Sequence, residues 1–243
     1  MAERMDALRE DALVSVATEY GGEVLPDFSS VRVRWGRMNQ QEMEELIRKE
    51  KIQAVIDATH PYAAEVTRQI QGACRETGIP LVRCLRREGL QEDQKKKKTG
   101  IKWFSDLKSG ICWLESQEGN ILAVTGSKEL AEYAALSRFQ ERVFARVLPT
   151  VQAMETCRSL GLAGRHIIGI QGPFSVGLNR AMIEEYNCRF LVTKDSGPEG
   201  GMAEKLEAAA LAGITAVVIG RPARESGMTV DEVMDWYGRQ TWR

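Results

Sequence analysis

The sequence predicts an α/β protein built on parallel sheets, and three observations carry this prediction. Short apolar runs rich in β-branched residues recur along the chain, which is typical of strands buried on both faces. Stretches with helical spacing of apolar residues lie between them, which gives a βαβ pattern. Several runs also end in turn-forming residues just before a helix. The runs are Ala54–Ile56, Ile121–Val124, Ile167–Ile170, Phe190–Val192 and Ala216–Ile219.

Composition narrows the class of protein. The 243 residues are enough for one large or two small domains, and the apolar fraction of 43% and charged fraction of 28% are ordinary for globular proteins. A net charge of −1 argues against affinity that comes mainly from phosphate contacts on nucleic acid. The sequence has neither a spanning apolar run nor a signal-like start, so we expect a cytoplasmic protein that does not bind membranes.

Cysteines and histidines do not indicate a metal site. The five cysteines are scattered and form no C-x-x-C pair, and the chain has only two histidines. Neither a disulfide framework nor a bound metal is therefore expected.

The first informative turn is VIDATHPYA, at residues 55–63, where a strand runs into a helix. Ligands of open parallel sheets bind at the carboxyl ends of strands, so His60 and Tyr62 are candidates for a ligand site. The alternative is a helix-start turn in which His60 only satisfies local backbone groups.

Two further turns follow apolar strands. In ILAVTGSK, Gly126 permits close backbone approach and Ser127 can cap the next helix or donate to a phosphate. In IQGPFS, Phe174 can flank a planar ring and Ser175 can cap a helix. A plain capped turn and a residue packed in the core are the alternatives.

The last two turns carry charge. Lys194 and Asp195 leave an apolar strand and enter a glycine-rich turn, where they could hold an anion or transfer a proton, or else form a local ion pair and cap. Arg221 follows the last apolar strand and could bind an anion or lie on the surface. The lysine-rich stretch at 88–102 is interpreted as a solvated link between two halves.

Taken in order, these motifs resemble the precorrin-6A reductase family, although each motif alone is unspecific. The resemblance covers nearly the whole chain. It rests on VSVATEYG at 14–21, VIDATHPYA at 55–63, VTGSK at 124–128, GIQGPFS at 169–175, LVTKDSG at 191–197 and VVIGRP at 217–222.

The resemblance implies two Rossmann-like parallel-sheet domains, at residues 1–100 and 101–243, with a cleft between them. It also implies reduction of precorrin-6A, or its cobalt form, to the corresponding precorrin-6B in cobalamin biosynthesis. NADPH or NADH would transfer a hydride to the macrocycle, and a proton would add next to it. The partners implied are this small-molecule substrate and other enzymes of the cobalamin pathway.

The resemblance also assigns site residues by position. The candidates for catalysis are His60, Tyr62 and Asp195, with solvent as an alternative proton source. The cofactor candidates are Thr125, Gly126, Ser127, Gly172, Pro173, Phe174, Ser175, Lys194, Ser196 and Gly197. The substrate candidates, with arginines as carboxylate clamps, are Thr59, His60, Arg83, Arg86, Arg87, Arg146 and Arg221. For the arginines, scattered surface positions are the alternative.

One departure from the family pattern concerns the start of the chain. Family members usually begin with a strand that ends in a Gly-Gly-Thr turn, whereas residues 1–11 resemble only the end of the helix after it. We therefore expect the first strand of the N-terminal domain to be missing. Glu19 follows the strand that would be second, which favours NADH, but the choice between NADH and NADPH stays open.

Two other functions are compatible with the same pattern. One is a different Rossmann-type oxidoreductase with a smaller substrate and a narrow apolar cleft. The other is a non-catalytic NAD(P)-binding module.

Overall fold

In the computed structural model, which describes residues 1–23, 25–85, 100–197, 200–221 and 226–240, the chain divides into two units. The first unit comprises Met1–Leu85 with Glu225–Arg243, and the second comprises Arg86–Arg224. Strands and helices alternate in both units, and the paired strands within the described ranges are all parallel. The predicted α/β class is therefore confirmed.

Two short parallel sheets form the strands of the first unit. Its strands are β1 (Ala12–Val16), β2 (Val31–Trp35), β3 (Val55–Asp57) and β4 (Leu81–Arg83). Its first helices are α1 (Ala2–Ala7), α2 (Glu19–Glu23), α3 (Gln40–Lys49) and α4 (Ala64–Thr77). Strand β1 pairs with β2, and β3 pairs with β4. The expectation that a first strand is missing stays a prediction.

Local signals set the bounds of α3 and α4. Asn39 and Glu42 form a capping box that satisfies free N–H groups at the start of α3. Gly78 ends α4 in the left-handed conformation, with φ of 72°, which a glycine adopts without steric cost. The two helices bury Met43 and Ile47 of α3 against Ala73 of α4, as the helical spacing predicted.

The second unit is built on one six-stranded parallel sheet. Its strands are β5 (Ile101–Phe104), β6 (Asn120–Ala123), β7 (Val143–Val147), β8 (Ile167–Gly169), β9 (Cys188–Lys194) and β10 (Thr215–Ile219). Its α-helices are α5 (Leu107–Glu115), α6 (Leu130–Tyr133), α7 (Phe139–Arg142), α8 (Val151–Ser159), α9 (Val176–Glu185) and α10 (Met202–Leu211). The strand order is β5-β10-β9-β6-β7-β8.

Side chains alternate between two buried faces of this sheet. Ile121 and Val192 point into one hydrophobic cluster, whereas their neighbours Leu122 and Leu191 point into another on the opposite face. Strand residues alternate in this way because successive side chains of a strand leave opposite faces. Continuous apolar runs therefore correctly predicted strands that are covered by helices on both sides.

The last helix, α11 (Val230–Gly238), belongs to the first unit. Val233 packs with Val82 in one cluster, and the Tyr237 hydroxyl donates to Glu10 at 2.9 Å. The sequence-based division instead placed residues 101–243 in one domain, so it differs from the units of the structure. The periodicity of the strands did not predict that α11 packs in the first unit. That packing depends on contacts between residues about 150 or more positions apart in the sequence.

Two kinds of feature are absent from the described ranges. No helix there combines the length and the apolar character that a membrane span requires. No group of three or more His, Cys, Asp or Glu side chains there is arranged to hold a metal ion.

Candidate functional site

The candidate site lies at the carboxyl ends of the strands in the second unit. The chain progresses outward from β6 to β7 and β8, and then returns to place β9 on the other side of β6. The strand order therefore reverses between β6 and β9. Ligands of open α/β sheets bind at such a reversal, outside the carboxyl ends of the strands.

A pocket of about 310 Å³ opens at these strand ends, and we call it the carboxyl-end pocket. Its walls come from the residues that follow β6 and β8, from the end of β7, and from the start of α10. Six of the predicted site residues line it, namely Thr125, Gly126, Arg146, Gly172, Pro173 and Phe174. The remaining lining residues are Val124, Val147, Leu148, Ile170, Gly200 and Lys205. A predicted substrate clamp, Arg146, thus shares one pocket with five predicted cofactor residues.

Arg146 is a buried cation on β7. Its exposed fraction is 7%, and its Nη1 donates to the Asn179 side-chain oxygen at 2.8 Å. Its guanidinium carbon lies 4.6 Å from the centre of the Phe174 ring, within cation–π range. Burial lowers the pKa of Arg146 to about 10, so the side chain keeps its charge at neutral pH.

Asn179 connects Arg146 to the turn that precedes α9. Its side-chain nitrogen donates to the carbonyl oxygens of Phe174 and Ser175, at 3.2 and 2.9 Å, while its oxygen accepts from Arg146. Ser175 caps α9, because its hydroxyl accepts from the backbone N–H of Leu178. The side-chain amide of Asn179 therefore links the turn at Phe174 to the guanidinium of Arg146.

Lys205 reaches the pocket from helix α10. Its Nζ donates to the Gly200 carbonyl oxygen at 2.7 Å. Burial and, after it, the charge of Arg146 lower the pKa of Lys205 to about 8, whereas Glu204 opposes the shift. The pocket therefore contains two cations, one of which titrates close to neutral pH.

Tyr133 contacts the turn that follows β6. Its hydroxyl lies 3.2 Å from the Thr125 hydroxyl, and burial of the fully buried ring raises the pKa of Tyr133. The expectation that Ser127 caps the next helix is wrong. Gly126, with φ of 98°, precedes the 3-10 helix Ser127–Glu129, and Ser127 is its first residue.

The predicted residues at the end of β9 and just after β9 and β10 lie near these strand ends but do not line the pocket. Lys194 forms an ion pair with Glu129. Asp195 is 3% exposed, and its carbonyl oxygen accepts from Arg221 Nε at 3.2 Å. Ser196 is also buried, and its hydroxyl has no hydrogen-bond partner among the described residues. The last member of this turn is Gly197, with φ of 72°.

The predicted residues Thr59, His60, Tyr62 and Arg83 belong to the first unit. Arg83 forms an ion pair with the buried Asp57 at 2.9 Å, and it also donates to the Thr59 hydroxyl at 2.9 Å. His60 Nδ1 accepts from the backbone N–H of Tyr62 at 3.3 Å, and the two rings lie 5.3 Å apart. Arg83 is thus part of a polar cluster around the buried carboxylate of Asp57. The predicted clamps Arg86 and Arg87 lie outside the described residues.

Sequence reasoning missed Lys205, which is the second cation of the pocket. The turn motifs pointed only to strand ends, and Lys205 lies within a helix. A signal was nevertheless present, because Lys205 has the spacing of the buried face formed by Met202, Leu206 and Ala209. A lysine on such a face must reach either a partner or a cavity.

Comparisons with known proteins agree with the predicted resemblance. A family model described as Precorrin-6x reductase CbiJ/CobK matches residues 1–238. A cobalt-precorrin-6A reductase from Priestia megaterium is 34% identical over 218 residues, which cover 88% of this chain and 84% of that protein. One from Salmonella typhimurium is 32% identical over 236 residues, which cover 97% of this chain and 87% of that protein.

A solved structure, CobK precorrin-6A reductase, has the same fold. It matches with a TM-score of 0.70 at 20% identity, over 93% of this chain and 96% of that one. The family model spans nearly the whole chain, and relatives above 30% identity match over most of their own length. The chain therefore belongs to the precorrin-6x reductase CbiJ/CobK family.

Proposed function

We propose that the chain reduces precorrin-6A, or its cobalt form, to the corresponding precorrin-6B in cobalamin biosynthesis, with NADPH or NADH as the reductant. The observation that supports this most directly is the family match over residues 1–238. The curated relatives at 34% and 32% identity carry the name cobalt-precorrin-6A reductase. A cytoplasmic location and contacts with other enzymes of the pathway stay predictions.

The lining of the carboxyl-end pocket is chemically suited to part of a nicotinamide dinucleotide. The glycine turns at Gly126 and Gly172 let a ligand approach the backbone, and Phe174 offers a ring face for a planar group. Arg146 and Lys205 supply the positive charge that a pyrophosphate or phosphate requires. When bound, the nicotinamide supplies the hydride.

We assign cofactor binding first to the predicted residues that line this pocket, namely Thr125, Gly126, Gly172, Pro173 and Phe174. Ser127, Ser175, Lys194, Ser196 and Gly197 stay cofactor candidates near the same strand ends. The apolar lining from Val124, Leu148 and Ile170 would exclude water from a bound ring.

For the proton we keep the three candidates His60, Tyr62 and Asp195. His60 Nδ1 accepts a backbone hydrogen bond, so a neutral His60 ring carries its proton on Nε2. That atom could donate to a substrate carbon after hydride addition. Asp195 is held at the end of β9, where the backbone N–H of Asp195 donates to Ile219 at 2.8 Å.

For the substrate we keep Thr59, His60, Arg83, Arg86, Arg146 and Arg221 as candidates. The three arginines of this set that the structure describes already have structural partners, and Arg146 donates to the Asn179 side-chain oxygen. Arg83 is ion-paired with Asp57, and Arg221 donates to the Asp195 carbonyl oxygen. A macrocycle with many carboxylates would still be attracted to such a set of guanidinium groups.

The proposal is tested by anaerobic assay of the purified chain with precorrin-6A or its cobalt form and either nicotinamide. We expect one mole of nicotinamide to be oxidised for each mole of macrocycle reduced, with the macrocycle followed by its change in absorbance. Deuterium from labelled nicotinamide should appear in the product. Oxidation with a smaller substrate only would favour another oxidoreductase, and nicotinamide binding without turnover of any substrate would favour a non-catalytic module.

The proton donor is tested with His60→Gln, Tyr62→Phe and Asp195→Asn. Loss of a general acid lowers kcat by about 10² to 10⁴ and changes its pH profile, whereas binding of substrate changes little. His166→Gln is the matched control, since His166 directly precedes β8 and its ring bonds only the Val143 carbonyl oxygen among the hydrogen bonds described. Unchanged pH profiles in all three variants would assign the proton to solvent.

A further inference from the structure

The carboxyl-end pocket brings two cations together, and neither has an ion-pair partner among the residues that the structure describes. No carboxylate of the described residues lies within 4.0 Å of the charged nitrogens of Arg146 or Lys205. Buried charges in proteins are normally paired, because taking an ion out of water is costly. Two cations without a carboxylate partner in the described part of the chain therefore favour an anionic ligand in this pocket.

We propose that Arg146 and Lys205 form a subsite that binds one oxyanion group, a phosphate or a carboxylate, of the ligand in the carboxyl-end pocket. The inference rests on the proposed function and deepens it, because it names the chemical group that this pocket receives. It also adds Lys205, which no sequence motif indicated, to the residues that bind ligand.

The surroundings of Arg146 orient the guanidinium and leave part of it available. Nη1 is occupied by Asn179, and the Phe174 ring lies over the group at 4.6 Å. Nε and Nη2 make no hydrogen bond to any residue that the structure describes. These two nitrogens form a fork that can bind two oxygens of one oxyanion.

Lys205 has donor capacity left as well. Its ammonium has three N–H groups, and one of them donates to the Gly200 carbonyl oxygen at 2.7 Å. The nearest acid on its own helix, Glu204, affects it less than the repulsion from Arg146 does. An oxyanion between the two cations would relieve that repulsion.

The rest of the pocket makes such a contact strong and limits what can enter. Its other walls include Val124, Leu148 and Ile170, and apolar walls strengthen charge–charge contacts by excluding water. A volume of about 310 Å³ is at the lower end for ligand pockets. It suits one charged group with the atoms next to it, and the remainder of a larger ligand would extend outside.

The test measures anion binding by calorimetry on the intact chain, without turnover. The probes are inorganic phosphate, the small polycarboxylate tricarballylate, NADH and NADPH. Lys205→Met removes the charge and keeps the chain length, and Arg146→Lys keeps the charge but removes the fork. The matched control is Lys108→Met, because Lys108 is exposed on α5 and does not line the pocket.

We expect Lys205→Met and Arg146→Lys to weaken binding of at least one oxyanion probe about tenfold or more, which a charged hydrogen bond accounts for. Lys108→Met should stay within twofold of the wild-type chain. Weakening confined to phosphate and the nucleotides would assign the subsite to the cofactor. Weakening confined to tricarballylate would assign it to a substrate carboxylate.

The proposal is overturned if folded Lys205→Met and Arg146→Lys bind all four probes within twofold of wild type. Far-UV circular dichroism establishes that each variant is folded. This result is independent of the reductase assay. Intact Lys205-dependent binding without turnover would refute the proposed function only, and turnover with Lys205-independent binding would refute the subsite only.

Discussion

Keeping Lys205 charged in the carboxyl-end pocket should cost the protein stability. Burial and the charge of Arg146 lower its pKa from the ordinary 10.5 to about 8. A change of one unit in pKa corresponds to about 1.4 kcal/mol. Keeping Lys205 charged in the folded protein therefore lowers the free energy of unfolding by up to about 3 kcal/mol below pH 8. Methionine has a similar length and no charge. Lys205→Met should therefore raise the free energy of unfolding at pH 7 by about 1–3 kcal/mol.

The sign of the pH dependence follows from the same shift. The pKa of Lys205 is lower in the folded protein than in the unfolded chain, so between pH 8 and 10.5 the unfolded chain binds more protons. Stability from this group therefore rises with pH through that window. The advantage of Lys205→Met should be largest below pH 8 and should vanish near pH 10.5.

The assay is urea unfolding at pH 7 and at pH 9.5, in buffers without phosphate or carboxylate. Other groups also titrate in this range, so the difference between wild type and variant isolates Lys205. Lys108→Met, an exposed position on α5, should match wild type at both pH values. The reasoning is refuted if Lys205→Met is less stable than wild type at pH 7, or if its advantage does not shrink at pH 9.5.

Three further substitutions test the packing that supports the two units, each by urea unfolding. Asp57→Asn removes the buried carboxylate that pairs with Arg83, and it should cost about 3 kcal/mol. Leu191→Ala opens a cavity at a fully buried position of the central strand β9, and it should cost about 3 kcal/mol or more. Gly119→Ala should cost about 1–3 kcal/mol, because φ is 119° and the new Cβ would lie 2.5 Å from Arg189.

Each of these substitutions has a control of the same chemistry. Asp231→Asn breaks an exposed ion pair with Arg4 and should cost less than about 1 kcal/mol. Leu211→Ala removes a side chain that is 56% exposed, and Gly238→Ala adds a methyl group in open space, so neither should destabilise by more than about 0.5 kcal/mol. A test variant that loses no more stability than its control would contradict the contribution to stability that we assign to the corresponding contact.

The sequence determined the elements and the edge of the sheet where the candidate site lies. Continuous apolar runs such as Ile121–Val124 predicted strands covered on both faces, and β6 and its neighbours confirm this. Turn residues after those runs, such as Gly126 and Gly172, meet in one pocket because parallel strands end at the same edge. Both signals are local, so one sequence sufficed to find them.

The tertiary structure alone decided which charges meet. It brings Lys205 from a helix to the same pocket as Arg146, and it pairs Arg83 with Asp57. It also returns α11 to the first unit. Periodicity specifies which face of an element is buried, but it does not specify the partner across that face. That partner depends on contacts between distant parts of the chain, and these exist only once the elements have packed.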